Sequence, residues 1–318
     1  MVQVEDKQVL RVVRVGQIEQ EQNTQRWLID GLWGASSVGV IGGAPKCSKT
    51  WLGLDIALSV ATGTPCLGTY AVPDPGPVLV YLAEDSLAIV RQRVEGMARH
   101  RGLDLSSVQI HVITTPTLRL DREPHRYQLF ETAKRLRPRL LLLDPLVRLH
   151  GVDENHATEV AELLAYFRSL QRQLDLALIL VHHTRKNGGG GVAAGQTLRG
   201  SSDIHAFGDS NLYLRRIQQH MMLTSEHRAA PASPPVYLEL VTHDAESTHL
   251  EVVAQPQQND RRSLEQQVLD LLLDQPMLTR AKLRDMLSVQ NQRLGDTLKK
   301  LEDAGQIRHT ATGWQRVS

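Results

Sequence analysis

Four short apolar runs constrain this chain more than any other feature: SVGVIG (37–42), VLVYL (78–82), LLLLD within LRPRLLLLDPL (136–146), and LALILVHH (176–183). None alternates apolar with polar residues, so each strand must be covered on both faces. Between them lie segments with apolar residues at helical spacing: WLGLDIALSVATG (51–63), stopped by Gly63, SLAIVRQRVEGMARHRG (86–102) and ATEVAELLAYFRSLQRQLD (157–175). VQIHVI (108–113) reads as a further strand. Strands of this kind separated by helices predict an α/β fold with a mostly parallel sheet.

The pattern changes after residue 183. KNGGGGVAAGQT (186–197) reads as a glycine-rich loop. NLYLRRI, HMMLTSEHR and VYLELVTHD read as strands, with APASPP (230–235) as a connector, and QPQQNDRR (255–262) as a polar linker. The expected division is a core over 1–255 that includes a polar N-terminal arm at 1–35, a linker at 256–262, and a small domain at 263–318.

Bulk properties exclude several classes. The net charge is +1, so any nucleic-acid binding has to come from local patches rather than a global field. Cys47 and Cys66 are the only cysteines, which excludes a disulfide framework or a cysteine-built zinc site and suits a reducing cytosol. MVQVEDKQVL lacks the apolar core of a signal peptide, and no apolar stretch approaches the ~20 residues a membrane helix needs. A cytoplasmic protein is expected.

GGAPKCSKT opens between the first strand and the first helix. Phosphate binding needs inward backbone N–H groups, a helix N-terminus, a lysine for the β/γ-phosphates and a hydroxyl for Mg²⁺. Gly43, Ala44, Pro45, Lys46, Cys47, Ser48, Lys49 and Thr50 fit G-x-x-x-x-G-K-[ST], with Ser48 in place of the second glycine, and Trp51 follows directly. Lys49 and Thr50 fill the two chemical roles. Asp144 ends the LLLLD strand, at the sheet edge where ligands sit, and is the expected partner of Mg²⁺. Glu84, just past VLVYL, is the expected general base for the attacking water. Asp85 or Ser86 reads instead as the cap of the next helix. His183 in VHHTRKN is placed to sense the terminal phosphate, and no metal-ligand spacing surrounds it. Arg199, Arg215 and Arg216 are candidates for an arginine finger reaching across a subunit interface.

Taken in order, GGAPKCSKTWLGLDIALSVATG, YLAEDS, LLLLDPLVRLH, VHHTRK and RGSS resemble the RecA-like hexameric ATPases, most closely the RepA-type plasmid replicative helicases and related mobile-element ATPases. The likeness spans about residues 25–250. It implies a RecA-like P-loop NTPase core and ATP with Mg²⁺ as ligands. It further implies a homo-oligomeric ring, a hexamer, that threads single-stranded DNA. By the same likeness Lys49 and Thr50 carry phosphate and Mg²⁺, Glu84 acts as base, Asp144 as metal-water ligand, His183 as sensor, and Arg215 or Arg216 in trans. The channel loops would be about 147–157 and 185–198, with Arg185 and Lys186 on DNA phosphates. Replication or mobile-element proteins are the implied partners. Ser48 departs from the pattern and predicts slowed turnover.

The C-terminal segment lies outside that likeness. SLEQQVLDLLL, LTRAKLRDML and SVQNQRLGDTLKKLEDAG read as three helices, the last ended by Gly305, and QIRHTATGWQRVS as a hairpin turning near Thr312-Gly313 with Trp314 in its core. This order predicts a winged-helix domain. Residues 261–318 hold ten Lys and Arg against seven Asp and Glu, a net +3. Gln290, Asn291, Gln292 and Arg293 open the third helix, where helix-turn-helix proteins read base edges of duplex DNA. A protein-docking winged helix is the alternative. For the whole chain the expected function is an ATP-driven DNA motor. The alternatives are a slow nucleotide switch that recruits partners on DNA, a nucleotide-sensing regulator, and a recombinase.

Overall fold

The computed structural model describes residues 12–17, 27–151, 157–183, 202–217, 219–244, 247–255, 263–275, 277–287, 289–310 and 313–317. The chain divides into two compact units, Met1–Gln255 and Pro256–Ser318.

The first unit opens with a small antiparallel ribbon of β1 (Trp27–Ile29) and β2 (Trp33–Gly34). Then follow β3 (Val38–Gly43), α1 (Lys49–Thr62), β4 (Val78–Leu82), α2 (Leu87–His100), β5 (Ile110–Val112), α3 (Glu123–Leu136) and β6 (Leu140–Asp144). Next come α4 (Ala157–Leu174), β7 (Ala177–His183), α5 (Ser202–Phe207), β8 (Ser210–Ile217), β9 (His220–His227), β10 (Val236–Asp244) and β11 (Ser247–Val253). One nine-stranded sheet holds them in the order β11-β10-β9-β8-β3-β7-β6-β4-β5. Every pairing from β8 through β3, β7, β6 and β4 to β5 is parallel, and β8 to β11 form an antiparallel meander at the other side.

The apolar runs are strands because both of their faces are buried. Along β6, Leu140 and Leu142 join a core with Ile56 and Val60 of α1, while Leu141 and Leu143 join another with Leu163 and Phe167 of α4. Helix α2 packs on α1 through Val90, Val94 and Met97. Helix α1 ends where predicted, with Gly63 in the left-handed region at φ 74°. Three elements have no counterpart in the sequence expectations, helices α3 and α5 and edge strand β11, and the ribbon β1–β2 lies within the stretch read as a polar arm. The antiparallel meander makes the sheet mixed rather than wholly parallel.

The second unit contains α6 (Leu264–Asp274), α7 (Arg280–Leu287), α8 (Asn291–Asp303), β12 (Ile307–Thr310) and β13 (Gly313–Arg316). Ser263 caps α6 by accepting from Gln266 N–H, and the Thr279 hydroxyl accepts from Lys282 N–H at the start of α7. Val268, Leu272, Leu283, Leu294, Leu298 and Ile307 form its core, with Trp314 packed against it. Leu278 and Trp314 exchange backbone hydrogen bonds of 3.0 and 2.8 Å, which joins the segment before α7 to the hairpin. Among the described residues no helix is long and apolar enough to cross a membrane.

Candidate nucleotide site

The site forms where β3, β7, β6 and β4 end together. Register fixes this: Gly43 lies opposite His183, and Leu82 opposite Asp144. A side chain at Gly43 would press on Cys47 Sγ and the Leu214 carbonyl, each 2.6 Å from its Cβ, so the loop can leave the strand only through a glycine. Beyond it Lys46 (φ 61°) and Ser48 (φ 62°) both adopt left-handed backbone. Ser48 thus holds the conformation for which glycine is favoured, and its side chain makes no capping hydrogen bond to α1. Helix α1 begins immediately after, at Lys49, with its N-terminus behind the loop.

Lys49 is 5% exposed. Its ammonium donates to the carbonyls of Gly43 (3.0 Å) and Ala44 (2.8 Å). Burial pushes its pKa down, and the thiol of Cys47 and the carboxylates of Asp144 and Glu84 oppose that. The Cys47 thiol is itself pushed up by burial. The Thr50 hydroxyl donates to Asp144 Oδ2 at 2.7 Å. Asp144 is 7% exposed, and burial raises its pKa to about 6, against the Thr50 hydrogen bond and the Lys49 charge. A desolvated carboxylate beside a hydroxyl is an oxygen pair whose uncompensated charge a hard cation would relieve, so these residues fit Mg²⁺.

Glu84 and Asp85 follow β4, and their roles separate. Ser86 caps α2 by accepting from Ile89 N–H. Asp85 pairs with Arg93 Nη1 at 2.6 Å, so of the two capping candidates the serine does the capping. Glu84 is held by Arg148 Nε at 2.9 Å, with both side chains about half exposed or more. Arg93 also lies over the ring of Trp51, 5.2 Å from its centroid. A cleft of about 320 Å³ is lined by Lys46 to Trp51, Glu84, Asp85, Arg93, Asp144 and His183. The structure therefore gathers most of the loop, both carboxylates and His183 around one cavity. It adds Arg93 to the lining and Arg148 as the partner of Glu84, neither of which any motif in the sequence singles out.

The other candidates sit apart or outside. Arg215 and Arg216 are exposed near the end of β8, and the charge of Arg216 reaches Cys47 within the same chain. Arg185, Lys186 and Arg199 lie outside the described residues, as do residues 152–156 of the span 147–157 and all of 185–198. Gln290, the N-cap of α8, and Asn291, Gln292 and Arg293 are all exposed. The Asn291 carbonyl accepts from Arg280 Nη2 at 2.7 Å.

Residues 4–189 match the family described as AAA domain, a span of more than half the chain. The chain belongs to this AAA-domain family. Two solved structures share its fold. One is the crystal structure of the RadB recombinase, at TM-score 0.50 and 16% identity, covering 69% of this chain and 92% of that one. The other is a DnaB-like replicative helicase studied with its interactions with primase, at TM-score 0.53 and 14% identity, covering 68% of this chain and 59% of that one. At these identities the likeness is one of fold, and the core of this AAA-domain protein is RecA-like.

Proposed function

We propose that this AAA-domain protein is an ATP-hydrolysing, DNA-associated motor that works as a homo-oligomeric ring, a RepA-like helicase serving replication or maintenance of a plasmid or mobile element. The observation that carries the reading is the convergence of Lys49, Thr50, Asp144 and Glu84 on one cleft at four strand ends. Lys49 is already dehydrated and held by two loop carbonyls, so its ammonium is positioned to exchange those acceptors for phosphate oxygens. Mg²⁺ at Thr50 and Asp144 would supply charge neutralisation across the phosphates. Glu84 orients and deprotonates water once its carboxylate leaves Arg148. His183, opposite Gly43, senses the terminal phosphate. Arg216 or Arg215 acts on the neighbouring subunit's site. The three helices and hairpin of Pro256–Ser318 act as a winged helix that holds duplex DNA.

The test is steady-state ATP hydrolysis with and without single-stranded DNA. Turnover stimulated by DNA, and abolished by Lys49→Ala and by Glu84→Gln, supports the motor. Tight ATP binding with no turnover in the native chain overturns it.

A second reading, an ATP-dependent switch that oligomerises on DNA and recruits partners, is favoured by the Glu84–Arg148 pair and by Ser48. Both would slow hydrolysis. In that case Arg148→Ala raises turnover, and a forked duplex is bound but not unwound.

A further inference from the structure

Helix α2, 14 residues long, starts at the nucleotide cleft and ends at His100. There it meets the edge of the sheet. His243 of β10 and His249 of β11 lie beside it, and the ligand atoms of the three imidazoles are all within 4.8 Å of one another. The pairing explains the juxtaposition. His249 lies opposite Val241, so His243, two residues further along β10, shares its face. The register shifts between Thr242 and Asp244, a bulge centred on His243 that re-aims its side chain.

His249 is the unusual member. It is 4% exposed, and neither ring nitrogen has a hydrogen-bond partner among the described residues. A buried imidazole with both nitrogens unsatisfied carries a desolvation cost that sheet packing alone does not explain. Its ring stacks on His100 at 3.5 Å between centroids, and His243 is 5.3 Å away. Burial and the two neighbouring histidines hold its pKa down, against Glu251 and Asp55. Neutral imidazole is the form that binds metal, and these surroundings hold His249 toward it.

We propose that His100, His243 and His249 form a divalent transition-metal site, with Zn²⁺ as its ion, that clamps the β10–β11 hairpin to the C-terminal end of α2. Three imidazoles and no thiolate suit Zn²⁺ in a four-coordinate site, with water in the fourth position. Zinc–nitrogen bonds of ~2.0–2.1 Å place tetrahedral ligands roughly 3.3 Å apart. The rings need to close only modestly, and His100 turns out of its stack to do so. His100 and His243 are exposed and have room for that movement. A dication is also favoured at the carbonyl end of a helix. Glu251 and the buried Asp55 supply negative charge nearby, although Asp55 is already paired with Arg101. The ion would fix the far end of the helix whose first turns carry Arg93 into the nucleotide cleft.

The experiment uses the untagged full-length chain, stripped with EDTA and dialysed without nucleotide. Zn²⁺ is titrated against a chromophoric chelator, and Co²⁺ is added separately for its visible d–d absorption. The expected result is one Zn²⁺ per chain and intense low-coordinate Co²⁺ bands. His100→Gln and His243→Gln should each weaken Zn²⁺ by more than about 100-fold, because losing even an outer-shell partner costs about 10–100-fold. Zn²⁺ should raise the thermal unfolding midpoint of the native chain and not of either variant. Both variants sit at exposed positions, and circular dichroism verifies that they fold. Uptake well below one ion per chain, or uptake that both variants leave unchanged, overturns the proposal.

Discussion

Ser48 shows how a single backbone angle can be visible as a flaw in the sequence and understandable only in the fold. The sequence places serine where the loop pattern has glycine, and the structure gives that residue φ 62° and ψ 26°. A non-glycine residue in that region costs about 1–2 kcal/mol, while glycine gives back about 0.5–1 through the entropy of the unfolded chain. Ser48→Gly should therefore raise stability by about 0.5–1 kcal/mol in urea unfolding and should not lower ATP turnover. A clear loss of stability would show that the serine side chain holds the loop. Asp144 carries a second prediction. Burial pushes its carboxyl from the ordinary 3.8 up to about 6, so the folded state holds the extra proton between those values. Stability from this group is fully present below about pH 4 and is lost as pH rises through 6. Asp144→Asn mimics the protonated form and can still accept from Thr50. In magnesium-free buffer it should be more stable than the native chain by about 2 kcal/mol at about pH 7.5, with the difference vanishing near pH 4, while ATP turnover is lost. Urea midpoints at the two pH values measure it.

Strands buried on both sides were legible, and elements with few or polar buried positions were not. VLVYL and LLLLD are strands as written, because their alternate residues enter two different cores. Helix α3 buries only Leu129 and Ala133, too narrow a stripe to show helical spacing clearly. Strand β11, STHLEVV, is an edge strand with polar residues at buried positions, so its pattern follows neither template. The site divides in the same way. Lys49, Thr50 and Asp144 belong to motifs at strand ends, whereas Arg93 reaches the cleft from a helix face and Arg148 reaches Glu84 from a short turn, placements that only the fold determines. Between elements, α2 is held to α1 by Arg101, just past its last turn. The guanidinium pairs with Asp55, which is 2% exposed in its side chain, and donates to the hydroxyls of Ser59 (2.8 Å) and Thr64 (2.9 Å). Asp55 also accepts from Leu67 N–H at 2.8 Å. Removing one partner strands the other charge, so Arg101→Ala should cost about 3–5 kcal/mol. Asp55→Ala should cost a similar amount, and the double variant clearly less than their sum. Additive losses would show that the two groups act separately.

At the scale of the whole molecule, charge is distributed unevenly between the two units. The chain carries +1 in total and residues 256–318 carry +2, which leaves −1 on residues 1–255. The overall charge of the larger unit therefore offers no attraction to a polyanion. On the proposed function it contacts single-stranded DNA only locally, when the ring encloses it. Duplex binding would instead belong to Pro256–Ser318, whose core of Val268, Leu272, Leu283, Leu294 and Leu298 leaves Gln290 to Arg293 exposed on α8. Cutting the chain after Gln255 should consequently leave ATP turnover and oligomerisation in place and remove duplex affinity. Each phosphate contact contributes about −0.9 to the slope of log affinity against log salt, so the intact chain should show a slope of several units and the shortened chain one near zero. Arg293→Ala within the intact chain separates two modes of contact. A phosphate contact weakens all duplexes alike and reduces the slope by about 1, whereas a base contact costs about 1–3 kcal/mol at particular sequences. Fluorescence anisotropy across a salt series reads both. Duplex binding that survives the cut would move the interface onto the ATPase core and leave the C-terminal unit as a site for docking protein.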